Sequence, residues 1–185
     1  MTEEILRKLS YGMYIISTWD QGRPTGCAAN SVMQIMASPA AVLVSINHKH
    51  YTRGCIDRAG SFAVSVLAGD SDPELIRIFG FQSGREISKF AEASYRIEGH
   101  LPVIEDCCGY LTCKVIDRME TATHTLFLGE VQETGVFGER QPMTYEDYRK
   151  NIKHEWKGRK ENEFKGNQNR SKFTGGICRR VTGKK

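Results

Sequence analysis

The chain has no CxxC pair, although it carries six cysteines, Cys27, Cys55, Cys107, Cys108, Cys113 and Cys178. Zinc and iron–sulfur sites draw on such pairs, so the sequence argues against a metal centre. It has no Gly-x-Gly-x-x-Gly fingerprint and no Walker loop, so neither a Rossmann dinucleotide fold nor a P-loop is expected. No apolar run is long enough to span a bilayer, so no membrane association is expected. The opening MTEEILRKLS carries acids and no apolar stretch. That sets the expectation of a cytoplasmic chain, without a secretory signal and with reduced thiols. Regular alternation of strands with long helices is missing too, which argues against a doubly wound parallel sheet.

What is present fits one domain of 185 residues, 39% of them apolar. Aromatic and β-branched runs read as strands at 11–18, 27–34, 41–47, 61–67, 109–120 and 123–137, the last two joined by a tight turn. Asp20, Gly22 and Pro24 mark a turn after the first strand. Thr52 reads as the N-cap of a short helix that Gly60 ends, and Asp72–Pro73 as the start of another that Gly80 ends. Cys27 and Cys113 fall in strand-like runs and read as core residues. The pattern predicts a mainly β fold, a closed or partly open antiparallel barrel with short peripheral helices.

The net charge of +4 hides an asymmetry. Residues 1–148 hold 13 basic and 19 acidic side chains, whereas 149–185 hold 13 basic and 3 acidic. The composition therefore divides the chain into a domain over 1–150 and a basic tail over 151–185, expected to be disordered or loosely packed.

Four polar clusters interrupt the strand pattern. Asn30 and Ser31 sit inside the run GCAANSVMQIMASP, where a buried polar group needs a partner. In SINHKHYT, Thr52 precedes free helical amides, and His48, Lys49 and His50 add positive potential, which together suit an anion. In FGFQSGREISKF, Ser83 and Gly84 offer a hydroxyl and a close backbone, and Arg85 and Lys89 share the spacing of one helical face. His124 stands within the strand-like THTLFLGEV. Each has a structural explanation as a bulge, a cap, a surface charge or a packed histidine; jointly they suit a phosphate-bearing ligand.

The runs LRKLSYGMYIIST, GCAANSVMQIMASPAAVLVSINHKHYT, GSFAVSVL, FGFQSGREISKF, THTLFLGEV and PMTYEDYRK, in this order over about residues 5–150, resemble the flavin reductase-like family with an FMN-binding split barrel. Within it the likeness runs to the flavoredoxin group and to the flavoprotein domain of high-molecular-weight rubredoxins. The resemblance implies a six-stranded antiparallel Greek-key barrel, a homodimer, and FMN held without a covalent bond near the dimer interface. It implies that Asn30, Ser31 and Val32 face the flavin ring, with His124 as the catalytic histidine beside it. It also implies that Thr52 marks the phosphate end, that Asn47 and Tyr51 line the approach, and that Ser83, Gly84 and Lys89 form a second ligand loop. Lys89 is open between phosphate and ring. The implied activity is electron transfer from NADH or NADPH through FMN to free flavin, an iron protein or another acceptor. An FMN electron carrier without an NAD(P)H site is the alternative, and a ligand-binding barrel whose tail contacts nucleic acid is a third. The tail departs from the family: Cys178 alone cannot hold a rubredoxin iron.

Overall fold

The computed structural model describes residues 2–6 and 8–153. Met1–Tyr148 form one unit and Arg149–Lys185 a second. The expected disorder of the basic tail lies outside the described residues, apart from a single turn at Tyr148–Ile152.

A short helix, α1 (Thr2–Leu6), precedes a hairpin of β1 (Tyr14–Asp20) and β2 (Arg23–Ala29). Its two-residue turn, Gln21–Gly22, has both φ values positive, at 50° and 84°, as a tight hairpin connection requires. Next come β3 (Val32–Ala37) and β4 (Ala40–Asn47), then α2 (Tyr51–Ala59), β5 (Ser61–Val66) and α3 (Pro73–Phe81). A small hairpin, β6 (Tyr95–Glu98) and β7 (Leu101–Ile104), leads to the long hairpin β8 (Gly109–Glu120) and β9 (His124–Val136), and a short turn of helix, α4 (Tyr145–Asp147), follows. The helix ends are as read from sequence for α3, where Asp72 Oδ1 accepts from the Glu74 amide at 2.9 Å and Pro73 opens the helix. Gly80 falls inside its last turn rather than after it. At the end of α2, Gly60 is left-handed (φ 66°) and returns its N–H to Ile56 O at 2.9 Å.

Seven strands form one antiparallel sheet in the order β2-β1-β5-β8-β9-β4-β3. β2 and β3 are its two edges, yet only Asn30 and Ser31 separate them in the chain. Three virtual bonds of about 3.8 Å each bring Ala29 to Val32, so the sheet must curl until its edges meet. The result is a split barrel with its seam at Asn30–Ser31. Ile16, Val44, Ile46, Ile56, Phe62 and Phe127 fill the interior, with Cys27 and Cys113 as the core residues expected of them. Pro24 sits on the edge strand β2, where a missing N–H is tolerated.

The strand count differs from six. The run 27–34 is broken at Asn30–Ser31 into β2 and β3, and the β6–β7 hairpin adds two more strands. Neither was read from sequence: the seam is made by closure of the whole sheet, and runs of four residues sit at the lower limit at which alternation signals a strand.

On the outer face of β3, β4, β9 and β8, cross-strand pairing sets Met33 opposite Leu43, Leu43 opposite Leu128, and Leu126 opposite Met119. Met33 is 59% and Met119 58% exposed. Asn47 and His124 continue the same face at its end, paired with each other in register.

Candidate functional site

The route from the seam to α2 carries most of the polar residues singled out above. Ser31 accepts from the Ser45 amide through its carbonyl (3.0 Å), and its hydroxyl donates to Asn30 Oδ1 (3.1 Å). Val32 pairs with Val44. Two residues beyond Ser45, Asn47 ends β4. Its Oδ1 accepts from the Lys49 amide at 2.9 Å, an Asx-turn that starts the bend into α2.

That bend moves the helix start. His50, not Thr52, is the N-cap, in extended conformation, and its ring makes no capping bond. Thr52 lies at the second helical position and is buried with Cys55 and Ile56, the inward face of α2. Thr52 as N-cap is therefore corrected, because the Asn47 side chain turns the chain two residues earlier than the hydroxyl pattern implied.

Lys49, His50, Tyr51 and Thr52 form one wall of a cleft of about 180 Å³; Gly80, Phe81, Gln82, Ser83, Gly84 and Lys89 form the other. Ser83 begins a turn in which the Glu86 and Ile87 amides both bond its carbonyl. Gly84 is required by packing: a Cβ there would lie 2.6 Å from Thr25 Oγ1. A hub holds the two walls. Asp20 accepts from the Tyr51 hydroxyl at 2.6 Å and from Arg58 at 2.9 Å, and Arg23 bonds both Asp20 (3.4 Å) and Gly84 O (3.2 Å). The Tyr51 hydroxyl is the first cause that holds the Asp20 carboxyl below its ordinary range; Arg58 and Arg23 add to it.

Lys89 is 3% exposed. Its ammonium donates to Gly26 O at 2.9 Å and to Phe79 O at 3.0 Å. The first is a carbonyl of an edge strand at the seam; the second belongs to the last turn of α3, whose carbonyls lack helical partners. An ammonium has three N–H groups, so one remains for the cleft that Lys89 lines. Burial pushes its pKa below the ordinary value near 10.5. The expected shared helical face with Arg85 is not formed. Residues 82–88 form turns rather than a helix, and Lys89 starts a separate short turn, Lys89–Ala91. Arg85 instead stands exposed with its guanidinium 5.3 Å from the Tyr51 ring centre.

His124 forms a second cluster. Its Nδ1 is 2.8 Å from Thr123 Oγ1, and its Nε2 is 3.5 Å from Asn47 Nδ2, the outer limit of a hydrogen bond. An amide NH₂ only donates, so in a hydrogen bond there Nε2 is the acceptor, while the Thr123 hydroxyl suits either state of Nδ1. His48, grouped above with the cleft cations, points elsewhere, 3.1 Å from Glu120.

The sites expected from sequence thus divide in two. Tyr51, Thr52, Ser83, Gly84 and Lys89 meet at the cleft. Asn30, Ser31, Val32, Asn47 and His124 lie outside it, along the seam and the end of β4 and β9. Asp20, Arg23 and Gln82 were missed. The first two lie in a stretch read only as a turn, and Gln82 within a motif weighed for its charges. Gln82 Oε1 is buried and has no partner among the described residues. Also among those residues, no three His, Cys, Asp or Glu gather to hold a metal ion. No described helix is long and apolar enough to cross a membrane.

A split barrel with a cationic cleft beside its seam defines a class, and the flavin reductase like domain matches residues 6–154. The chain belongs to that family. It is 39% identical over 150 residues to the high molecular weight rubredoxin of Moorella thermoacetica, covering 80% of this chain and 66% of that protein. It is 33% identical over 150 residues to a ferric-chelate reductase (NAD(P)H) of Archaeoglobus fulgidus, covering 80% of this chain and 89% of that one. Among solved structures, flavin reductase PheA2 superposes with a TM-score of 0.67 at 29% identity, covering 78% of this chain and 93% of that one.

Proposed function

We propose that this chain is an FMN-binding oxidoreductase that takes electrons from NADH or NADPH and delivers them to free flavin, an iron protein or another acceptor. One observation carries the reading: Tyr51 and Thr52 from α2, and Ser83, Gly84 and Lys89 from a separate stretch, converge on one cationic cleft. The volume, about 180 Å³, is below the 300–1,000 Å³ or so of a whole-ligand pocket. It suits a terminal phosphate and part of its chain, not a tricyclic ring. The ring then lies along the seam.

In this reading the free N–H of Lys89, the Thr52 and Ser83 hydroxyls and the first amides of α2 hold the phosphate, where helix polarity favours an anion. Gly84 lets the backbone come close. Gln82 Oε1 accepts from a hydroxyl of the polyol chain. Asn30, Ser31, Val32 and Asn47 offer the ring its polar contacts. His124, with Nδ1 beside Thr123 and Nε2 beside Asn47, would move a proton at the ring edge. The flavin, when bound, supplies the electron chemistry, while the protein holds and orients it.

The apolar face of Met33, Leu43, Leu126, Leu128 and Met119 adjoins Asn47 and His124. A second copy of the chain covering it would exclude water from the ring, so the same reading includes a homodimer. The test is a visible spectrum of the purified chain, then anaerobic titration with NADH and with NADPH. Loss of the flavin band with either nucleotide supports the reading. A yellow protein that neither bleaches is the electron carrier instead. A colourless protein that takes up no added FMN refutes both.

A further inference from the structure

Beside Gln82, the cleft is lined by a titratable ring, that of His50, with no side-chain hydrogen bond among the described residues. His50 has its backbone fixed at both ends: its N–H donates to Asn47 O at 3.0 Å, and its carbonyl accepts from the Arg53 amide at 3.1 Å. His50 lines the cleft with Lys49, Thr52, Ser83 and Lys89, and its imidazole is near enough to Lys89 to feel that charge. The ring neither caps α2 nor bonds another side chain among the described residues.

The charges around it share one sign. Lys89 faces it from the opposite wall, Lys49 and the positive end of α2 adjoin it, and the titratable ring of His124 lies beyond the cleft on β9. The carboxylates of neighbouring strands are engaged elsewhere: Asp20 by Tyr51, Arg58 and Arg23, and Glu120 by Arg53, Thr125 and His48. Tyr51 on α2 and Cys27 on β2 are neutral at ordinary pH, the Cys27 thiol being pushed up to about 11 by burial. In the free protein, burial first and then Lys89 hold the imidazole below its usual pKa, so at mildly alkaline pH it is neutral. An anion seated among Lys89, Thr52 and Ser83 reverses the electrostatic part of that balance.

We infer that His50 is a specificity residue of this cleft, one that takes up a proton as a doubly charged terminal phosphate enters and so selects a phosphomonoester over an uncharged chain end. The inference rests on the flavin reading above and adds to it. A phosphomonoester has its second pKa near about 6 and is already a dianion at pH above about 7, so the proton must settle on the protein. The balance is simple: neutral His50, a dianion and one proton from solvent become an imidazolium–dianion pair. By linkage, affinity then rises up to about tenfold for each unit that pH falls across the window in which a whole proton is taken up.

The experiment is isothermal titration of the full chain, freed of flavin, with FMN and with riboflavin. Each is run at one mildly alkaline pH in two buffers of different ionisation enthalpy. The expected result is net proton uptake with FMN and none with riboflavin. His50→Asn should abolish the uptake and weaken FMN while leaving riboflavin unchanged. FMN binding without uptake overturns the inference and leaves the flavin reading standing. Uptake that persists in His50→Asn assigns the proton to Lys89 and also overturns it. If neither ligand binds, the flavin reading falls and this inference with it. The FMN and riboflavin comparison on the unaltered chain decides the matter even if the variant fails to fold.

Discussion

Lys89→Met tests the central physical claim, that one buried ammonium ties the seam of the barrel to the end of α3 and still faces the cleft. Methionine keeps the length and apolar body of the side chain but donates nothing. Gly26 O, 2.9 Å from Nζ, and Phe79 O, 3.0 Å away, both lose their donor. Each buried carbonyl left without a partner costs about 1–3 kcal/mol. Against that stands relief of the ammonium's burial, whose cost is visible in its lowered pKa. The expected net loss is about 2–4 kcal/mol of unfolding free energy. For a domain of this size that is a fall in Tm of roughly 4–16 °C. Urea unfolding read by circular dichroism measures the first, with an unchanged m-value required if the native fold is kept. Fluorescence titration with FMN measures the second role: loss of one charge-assisted hydrogen bond weakens binding about 10- to 150-fold. An unchanged urea midpoint would refute the structural tie, and unchanged FMN affinity would refute the placing of phosphate in this cleft. The pH dependence has a definite sign. A lysine whose folded pKa is depressed gives up its proton below 10.5, so FMN retention should fail on the alkaline side earlier than for an ordinary lysine.

Gly84→Ala should displace the Ser83 loop, since the new Cβ would lie 2.6 Å from Thr25 Oγ1; a stability loss of about 1–3 kcal/mol with weaker FMN binding is expected, and a crystal structure with an unmoved loop would count against it. Asp20 has its pKa lowered in the fold, so its contribution is complete above 3.8 and is lost as pH falls through the lower native value. In thermal melts taken below pH 3.8, Asp20→Asn should flatten the acid slope of stability, and an unaltered slope excludes the hub. Thr52→Val keeps the buried shape and removes the hydroxyl, so FMN should weaken by about 1–3 kcal/mol at nearly constant Tm; equal affinity removes Thr52 from the site. Met119→Lys places a charge on the apolar face, and light scattering should show a monomer if that face joins two copies.

Much of the fold was legible because it is local. The helix end at Gly60 follows from a left-handed residue that needs no Cβ, and the start of α3 from the Asp72 side chain and the fixed φ of Pro73. Strands β1, β4, β5, β8 and β9 were visible as alternation or as aromatic and β-branched runs. The site was legible in part. Thr52, Ser83, Gly84 and Lys89 were singled out because phosphate-type chemistry needs hydroxyls, close backbone and cations in short stretches. The start of α2 was misread by two residues, because a side chain outside the helix, Asn47, sets the turn. The pairing of Arg85 with Lys89 failed because a helical period was assumed across Ser88.

The sequence by itself determined five of the strands, the two longer helices to within a turn, and that the chain belongs with the flavin reductase-like barrels. Those depend on turn chemistry, periodicity and ordered motifs, all of which act over a few neighbouring residues. Tertiary structure alone decided that Asn30 and Ser31 mark the seam, because only closure of the seven-stranded sheet brings β2 and β3 together. It alone buried Lys89 against a carbonyl 63 residues away and set His50 opposite it. A cation's role depends on which carbonyls and which charges the fold brings within a few ångströms, and no local pattern encodes that distance.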